Sequence, residues 1–148
     1  MLSQATIDSF QNDGITFIPG LFKAHLDSLR MGVQKNIEEP GPYAAENLNE
    51  GEIGRFFDDY CNWQRINEFR NAAFDKNIAK AAALLMQSTT VQLFHDHVLV
   101  KAAGTLKPTP WHTDGPYYFV KGKKTLSFWV PLDPCLLYTS DAADESVC

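Results

Sequence analysis

His112 and Asp114 stand two residues apart in Trp111-His112-Thr113-Asp114, between the turn-forming Pro108-Thr109-Pro110 and the aromatic run Tyr117-Tyr118-Phe119. On an extended strand, residues i and i+2 point to one face. An imidazole and a carboxylate so placed can grip one metal ion from one side. Joined by a second imidazole, they make the facial set of non-haem Fe(II) oxygenases, which leaves coordination positions open. Alone, H-x-D is a weak pattern, and its plain alternative is a surface His and Asp sharing a hydrogen bond in a turn. The other histidines are His25, His95 and His97, and none follows His112.

His97 and Lys101 fall four residues apart in a stretch of alternating polarity, so they share a strand face. A lysine on an apolar strand is costly to bury unless it meets an anion. It either snorkels to the strand end or binds an anionic ligand. His97 is either a satisfied core histidine or a hydrogen-bond donor to such a ligand. His95-Asp96-His97 has the H-x-H spacing of a cupin-type site, in which His95, His97 and His112 would act together, but no Glu follows at the place that pattern needs. Trp129 by itself reads as a core aromatic of its strand. Tyr117 and Tyr118 are read mainly as packing residues.

The surroundings of these residues are more specific than the residues alone. Asp96-His97, Leu99-Val100-Lys101, Gly104, the run Pro108 to Asp114, Pro116-Tyr117-Tyr118 and the strand Phe128 to Pro134 stand in order. This arrangement resembles the phytanoyl-CoA dioxygenase (PhyH-like) family of Fe(II)/2-oxoglutarate oxygenases. The opening, a helix followed by DGITFIPGLF and a second helix, is similar too, so the likeness covers residues 1 to 134.

The resemblance implies an α+β fold, with N-terminal helices packed on an incomplete double-stranded β-helix, or jelly roll. It implies an enzyme using Fe(II) and 2-oxoglutarate, with O2, to hydroxylate a small organic substrate. It implies His112 and Asp114 as the first two iron ligands, and His97, Lys101 and Trp129 at the co-substrate pocket. A carboxylate at position 114 argues against a halogenase, which needs a small residue there. The family's third ligand, a His on a later strand, and the Arg after it have no counterpart here: no His follows His112 and no Arg follows Arg70. The chain is therefore read as the N-terminal part of a dioxygenase domain, residues 1 to 134, inactive by itself. Residues 135 to 148 are read as a non-native tail, because Cys135 to Glu145 resembles the translated read-through of a transposon-end sequencing adapter. Two other readings stand beside this one: a catalytically inactive binding domain of the same fold, and a cupin-type metalloprotein.

Composition narrows the class without choosing the chemistry. The 148 residues, 45% hydrophobic and 21% charged, suit one globular domain. No apolar run approaches the roughly 20 residues that span a bilayer, and the N-terminus lacks the pattern of a signal peptide. The net charge of −5 and the absence of a basic patch argue against nucleic acid. The basic run 121 to 124 reads as a hairpin turn. Cys61, Cys135 and Cys148 lack metal-ligand or disulfide-framework spacing, which suits the cytoplasm.

The elements that must carry these residues follow from periodicity. Ser3 is placed to cap a helix to about Asn12, closed by Asp13-Gly14. Ile15 to Ile18 reads as a short strand. His25 to Glu38 carries the helical stripe Leu26, Leu29, Val33 and Ile37. Residues 43 to 53 read as a loop, and Arg55 to Cys61 as an uncertain strand with Phe57 inward. Ile66 to Ala73 and Asp75 to Gln87 read as helices, the second capped by Asp75 and burying Ile78, Ala81, Ala82 and Leu85. From Thr89 the period changes to two. A strand through Lys101, apolar on both faces, should be covered on both, and Thr109 to Thr113 and Thr125 to Leu132 read as further strands. This geometry predicts His112 and Asp114 facing one cavity beside the 91-to-101 strand, with His97 close by.

Overall fold

The computed structural model describes residues 2–117, 120–122 and 124–133. The tail from 135 to 148, the basic run's Lys123 and the paired Tyr118 therefore lie outside the described residues. Within them the architecture is α+β: four α-helices and a three-stranded antiparallel sheet of order β1-β2-β3.

The helices form where the sequence caps them. Ser3 Oγ accepts from the Thr6 N–H, starting α1 (Gln4–Asp13). Gly14 ends α1 at φ 76°, a conformation only glycine adopts cheaply, and its N–H bonds back to the Phe10 carbonyl. A 3-10 turn, Lys23–His25, leads into α2 (Leu26–Glu38). Asp75 caps α4 (Lys76–Leu85) by accepting from the Asn77 and Ile78 N–H groups, and α4 buries Ile78, Ala81, Ala82 and Leu85. The fourth helix, α3, spans Asn67–Ala73.

The sheet is built from β1 (Ala45–Glu46), β2 (Phe56–Tyr60) and β3 (His97–Lys101). The stretch read as a loop thus contributes a two-residue strand. β2 pairs with β3 in the register Phe57↔Val100, Asp58↔Leu99 and Tyr60↔His97. Alternation sends Phe57 and Val98 toward the helices, where they form the core with Ile66 and Phe69. Leu29, Val33 and Ile37 of α2 pack against that core, as does Trp63. Burying side chains of this size stabilises by about 1.5–3 kcal/mol each.

A polar knot crosses this layer. Asn36, Asp59 and Asn62 are all fully buried. The Asp59 carboxylate accepts from Asn36 Nδ2 at 2.7 Å, from the Gly41 N–H at 2.7 Å and from the Tyr60 N–H at 2.9 Å. It ties α2, the turn after it and β2 together.

Five expectations about strands need correction. β3 begins only at His97, not in the Thr89 region. It is covered on one face: Val98 is buried, while Leu99 is 57% exposed. Ile15 to Ile18 enters no ladder. Thr109 to Thr113 and Thr125 to Leu132 enter none either. Pro108 and Pro110 remove backbone donors from the first of these, which weakens it as a strand. The second still keeps a period of two. Leu126, Phe128 and Val130 are half-buried, while Thr125, Ser127 and Trp129 are exposed. Its pattern is that of a strand, but no neighbouring strand pairs with it among the described residues.

Candidate metal site

The His112 and Asp114 side chains meet although no strand carries them. His112 Nε2 lies 3.6 Å from Asp114 Oδ1. The next residues turn through a 3-10 segment, Gly115–Tyr117, in which the Tyr117 N–H bonds to the Asp114 carbonyl at 2.9 Å. Tyr117 sets its ring edge-on to His112, with centroids 6.1 Å apart. Residues 111 to 117 are all exposed, and the two ligand side chains are 42% and 53% exposed, so the pair sits at the surface and not in the cavity expected beside the 91-to-101 strand.

The backbone fixes which imidazole nitrogen faces outward. His112 Nδ1 lies 2.8 Å from the Pro110 carbonyl oxygen. A carbonyl only accepts, so Nδ1 donates there, and in a neutral ring Nε2 is the nitrogen left to meet an ion beside Asp114. Metal-binding histidines are commonly oriented in this way, by a bond from the far nitrogen to a carbonyl or carboxylate. Bonds of roughly 2.1 Å hold two neighbouring ligands about 3.0–3.6 Å apart for angles between 90° and 120°. The observed separation fits two ligands of one first-row ion. The donor set, one imidazole and one carboxylate, suits iron.

No third ligand joins them among the described residues. Among the described residues, no group of three or more His, Cys, Asp or Glu side chains is placed to hold a metal. The cupin-type set of His95, His97 and His112 is accordingly not assembled. His95 packs against Phe94 and Tyr60. His25 pairs with Asp75 at 2.9 Å. Asp96, read from sequence as the centre of His-x-His and as part of the Asp96-His97 element, braces the chain after β2, since its carboxylate accepts from the Asn62 and Trp63 N–H groups at 3.1 and 2.9 Å.

His97 and Lys101 lie on the open face of the sheet, as alternation requires. His97 Nε2 contacts Asp58 Oδ2 at 3.1 Å, and Asn47 Nδ2 donates to the other oxygen of Asp58 at 2.7 Å. A carboxylate accepts only, which places the proton of a neutral ring on Nε2. Nδ1 is then the nitrogen that could meet a ligand. Sequence reasoning missed Asp58 and Asn47; with Phe57 read as inward, strand geometry put Asp58 on the opposite face, which was the available signal for Asp58. The Lys101 amine lies over the Phe56 ring, 4.2 Å from its centroid, and donates to the Lys107 carbonyl at 2.8 Å and toward Thr109 Oγ1 at 3.3 Å. Burial pushes the Lys101 amine below its ordinary value. Trp129 is 57% exposed.

Comparison with known proteins agrees with the motif. The family model described as Phytanoyl-CoA dioxygenase (PhyH) matches residues 10–137. No curated protein and no solved structure matches the chain. No helix of the described residues is long and apolar enough to cross a membrane. The match spans most of the sequence, including α2 to α4, the sheet and the His112–Asp114 pair, and the chain belongs to the phytanoyl-CoA dioxygenase family, a family of oxygenases.

Proposed function

We propose that this chain is part of an Fe(II)- and 2-oxoglutarate-dependent dioxygenase that hydroxylates a small organic substrate with O2. The observation that carries the reading is the His112–Asp114 pair, 3.6 Å apart, with the imidazole turned by the Pro110 carbonyl. Iron bound there would supply the oxidising chemistry that couples 2-oxoglutarate decarboxylation to substrate hydroxylation. The protein's own part is to hold and orient. His112 and Asp114 would bind the metal from one side. His97, Lys101 and Trp129 would border the co-substrate. Lys101 is the cation among these three, and its amine already bonds to the loop that leads to His112. In the complete fold, a double-stranded β-helix, the unpaired 124–133 segment would find its partner strand. The third iron ligand and an arginine for the far carboxylate of 2-oxoglutarate would come from sequence beyond these residues, with residues 135 to 148 set aside as a non-native tail.

The test is succinate release from 2-oxoglutarate, dependent on Fe(II) and O2. This chain should give none, and a protein continuing the family sequence past Asp133 should give it. In that longer protein His112→Ala or Asp114→Ala should abolish turnover, and Lys101→Ala should mainly raise the 2-oxoglutarate requirement. A longer protein that contains a later His and Arg yet releases no succinate would favour an inactive binding domain. Turnover by the short chain would mean that His95 or His97 completes the site.

A further inference from the structure

The 124–133 segment is held by side chains rather than by a ladder. Arg30 on α2 sends both Nε and Nη2 to the Leu132 carbonyl, with Nε at 2.9 Å, while its Nη1 meets Asp27 at 3.1 Å. Phe128 sets its ring edge-on to Phe22, with centroids 5.5 Å apart. Lys124 Nζ donates to the Gln87 carbonyl at 2.6 Å. Leu126, Phe128 and Val130 form the half-buried side of the alternation and Ser127 lies on the exposed side. There Ser127 Oγ donates to Asp114 Oδ2 at 3.4 Å. Asp114 Oδ1, the other oxygen, is the one that faces His112.

We propose that Arg30 is a positioning residue of the metal site: it clamps the Leu132 carbonyl and so holds the segment whose Ser127 fixes the Asp114 carboxylate. The inference rests on the metal reading of His112 and Asp114. A carboxylate with one oxygen engaged by a hydroxyl offers the other to the ion, in one orientation. Partners of this kind commonly contribute ten- to a hundredfold in metal affinity. Arginine suits the clamp because its planar fork places two N–H groups on one oxygen and a third on Asp27. Arg30 is 46% exposed at its side chain, so its removal opens no core.

Co(II) titration of this chain, followed by optical absorption, tests the clamp. Arg30→Ala and Ser127→Ala should each weaken Co(II) binding by about tenfold. Arg30→Lys should fall between wild type and Arg30→Ala. The double variant should bind no more weakly than Ser127→Ala, because both act along one path. Backbone order parameters should fall across 124–133 in Arg30→Ala, with the thermal transition of the helices unmoved. Unchanged affinity in Arg30→Ala or in Ser127→Ala, with Asp114→Ala still weakened, overturns the clamp and leaves the metal reading intact. Additive losses in the double variant overturn it as well. Binding that ignores Asp114→Ala overturns both.

Discussion

Replacing Asp59 by alanine should be among the most damaging single changes to this fold. The carboxylate is fully buried and takes hydrogen bonds from Asn36 Nδ2, the Gly41 N–H and the Tyr60 N–H. Arg65 Nη2 stands 3.7 Å from it. Alanine leaves the first two donors facing a void. An orphaned buried donor costs about 1–3 kcal/mol, and breaking a buried charged network from one side costs about 3–5 kcal/mol in total. Against the roughly 5–15 kcal/mol that holds a typical domain, this is a large share. Urea unfolding at neutral pH measures it, and the midpoint should fall by about 2 M for a domain of this size. Asp59→Asn should cost less, about 1–2 kcal/mol. Its new amide can donate to Asn36 Oδ1, which is buried with no hydrogen-bond partner among the described residues, once the Asn36 amide turns. The pH dependence has a definite sign. Burial pushes the Asp59 carboxyl up, and the bonds from Asn36, Gly41 and Tyr60, helped by the nearby Asn62 amide, together outweigh it, so the group sits below its ordinary value. Its contribution is therefore complete above the unfolded carboxyl value, ~3.9, and is lost as pH falls through the folded one. An Asp59→Ala protein within about 0.5 kcal/mol of wild type, the range of an ordinary surface change, would refute the reasoning.

Other residues give sharper contrasts. Gly32→Ala should destabilise despite the better helix former, because a Cβ there would come within 2.6 and 2.9 Å of ring carbons of the buried Phe69. Overpacking of about 1–3 kcal/mol outweighs a propensity gain of about 1 kcal/mol, and a raised melting temperature would contradict this. Asp75→Ala should lower the melting temperature and remove an acid-sensitive component. The His25 bond first, and then the Asn77 and Ile78 N–H groups, hold Asp75 below its ordinary value, so its stabilisation is present at neutral pH and fades on acidification. Lys101→Met should abolish a rise in stability with alkaline pH. With the amine pushed down by burial, the wild-type protein gains stability as pH climbs from the folded toward the unfolded value, ~10.4. Equal alkaline slopes in the two proteins would count against it.

Local signals were readable where one residue type does one job. Ser3 and Asp75 cap helices because their oxygens reach the first free N–H groups, and both stood out in the sequence. The stripe of α2 and the apolar face of α4 followed from period alone. The same rule hid the most buried positions of α2, Gly32 and Asn36, because one carries no side chain and the other a polar one. Asp59 was hidden for the same reason, since its partners come from three separate parts of the chain. Strand prediction failed in a different way. Residues 125 to 132 kept the alternation of a strand, but a ladder needs a second chain segment, and alternation cannot report whether one is there. At the site, the spacing of His112 and Asp114 survived as proximity without the strand expected to cause it. The turn after Asp114 and the Pro110 carbonyl bring the two side chains together instead. The surface position of the pair followed from the loop's path, which local spacing does not encode.

Co(II) added to isotopically labelled protein tests the central assignment most directly, because a paramagnetic ion shifts or broadens only the signals around it. The account predicts that the first signals affected belong to His112 and Asp114, followed by Tyr117 and Ser127, and that Asp114→Ala removes the effect. Perturbation centred on His95 and His97, or one that persists unchanged in Asp114→Ala, would contradict it.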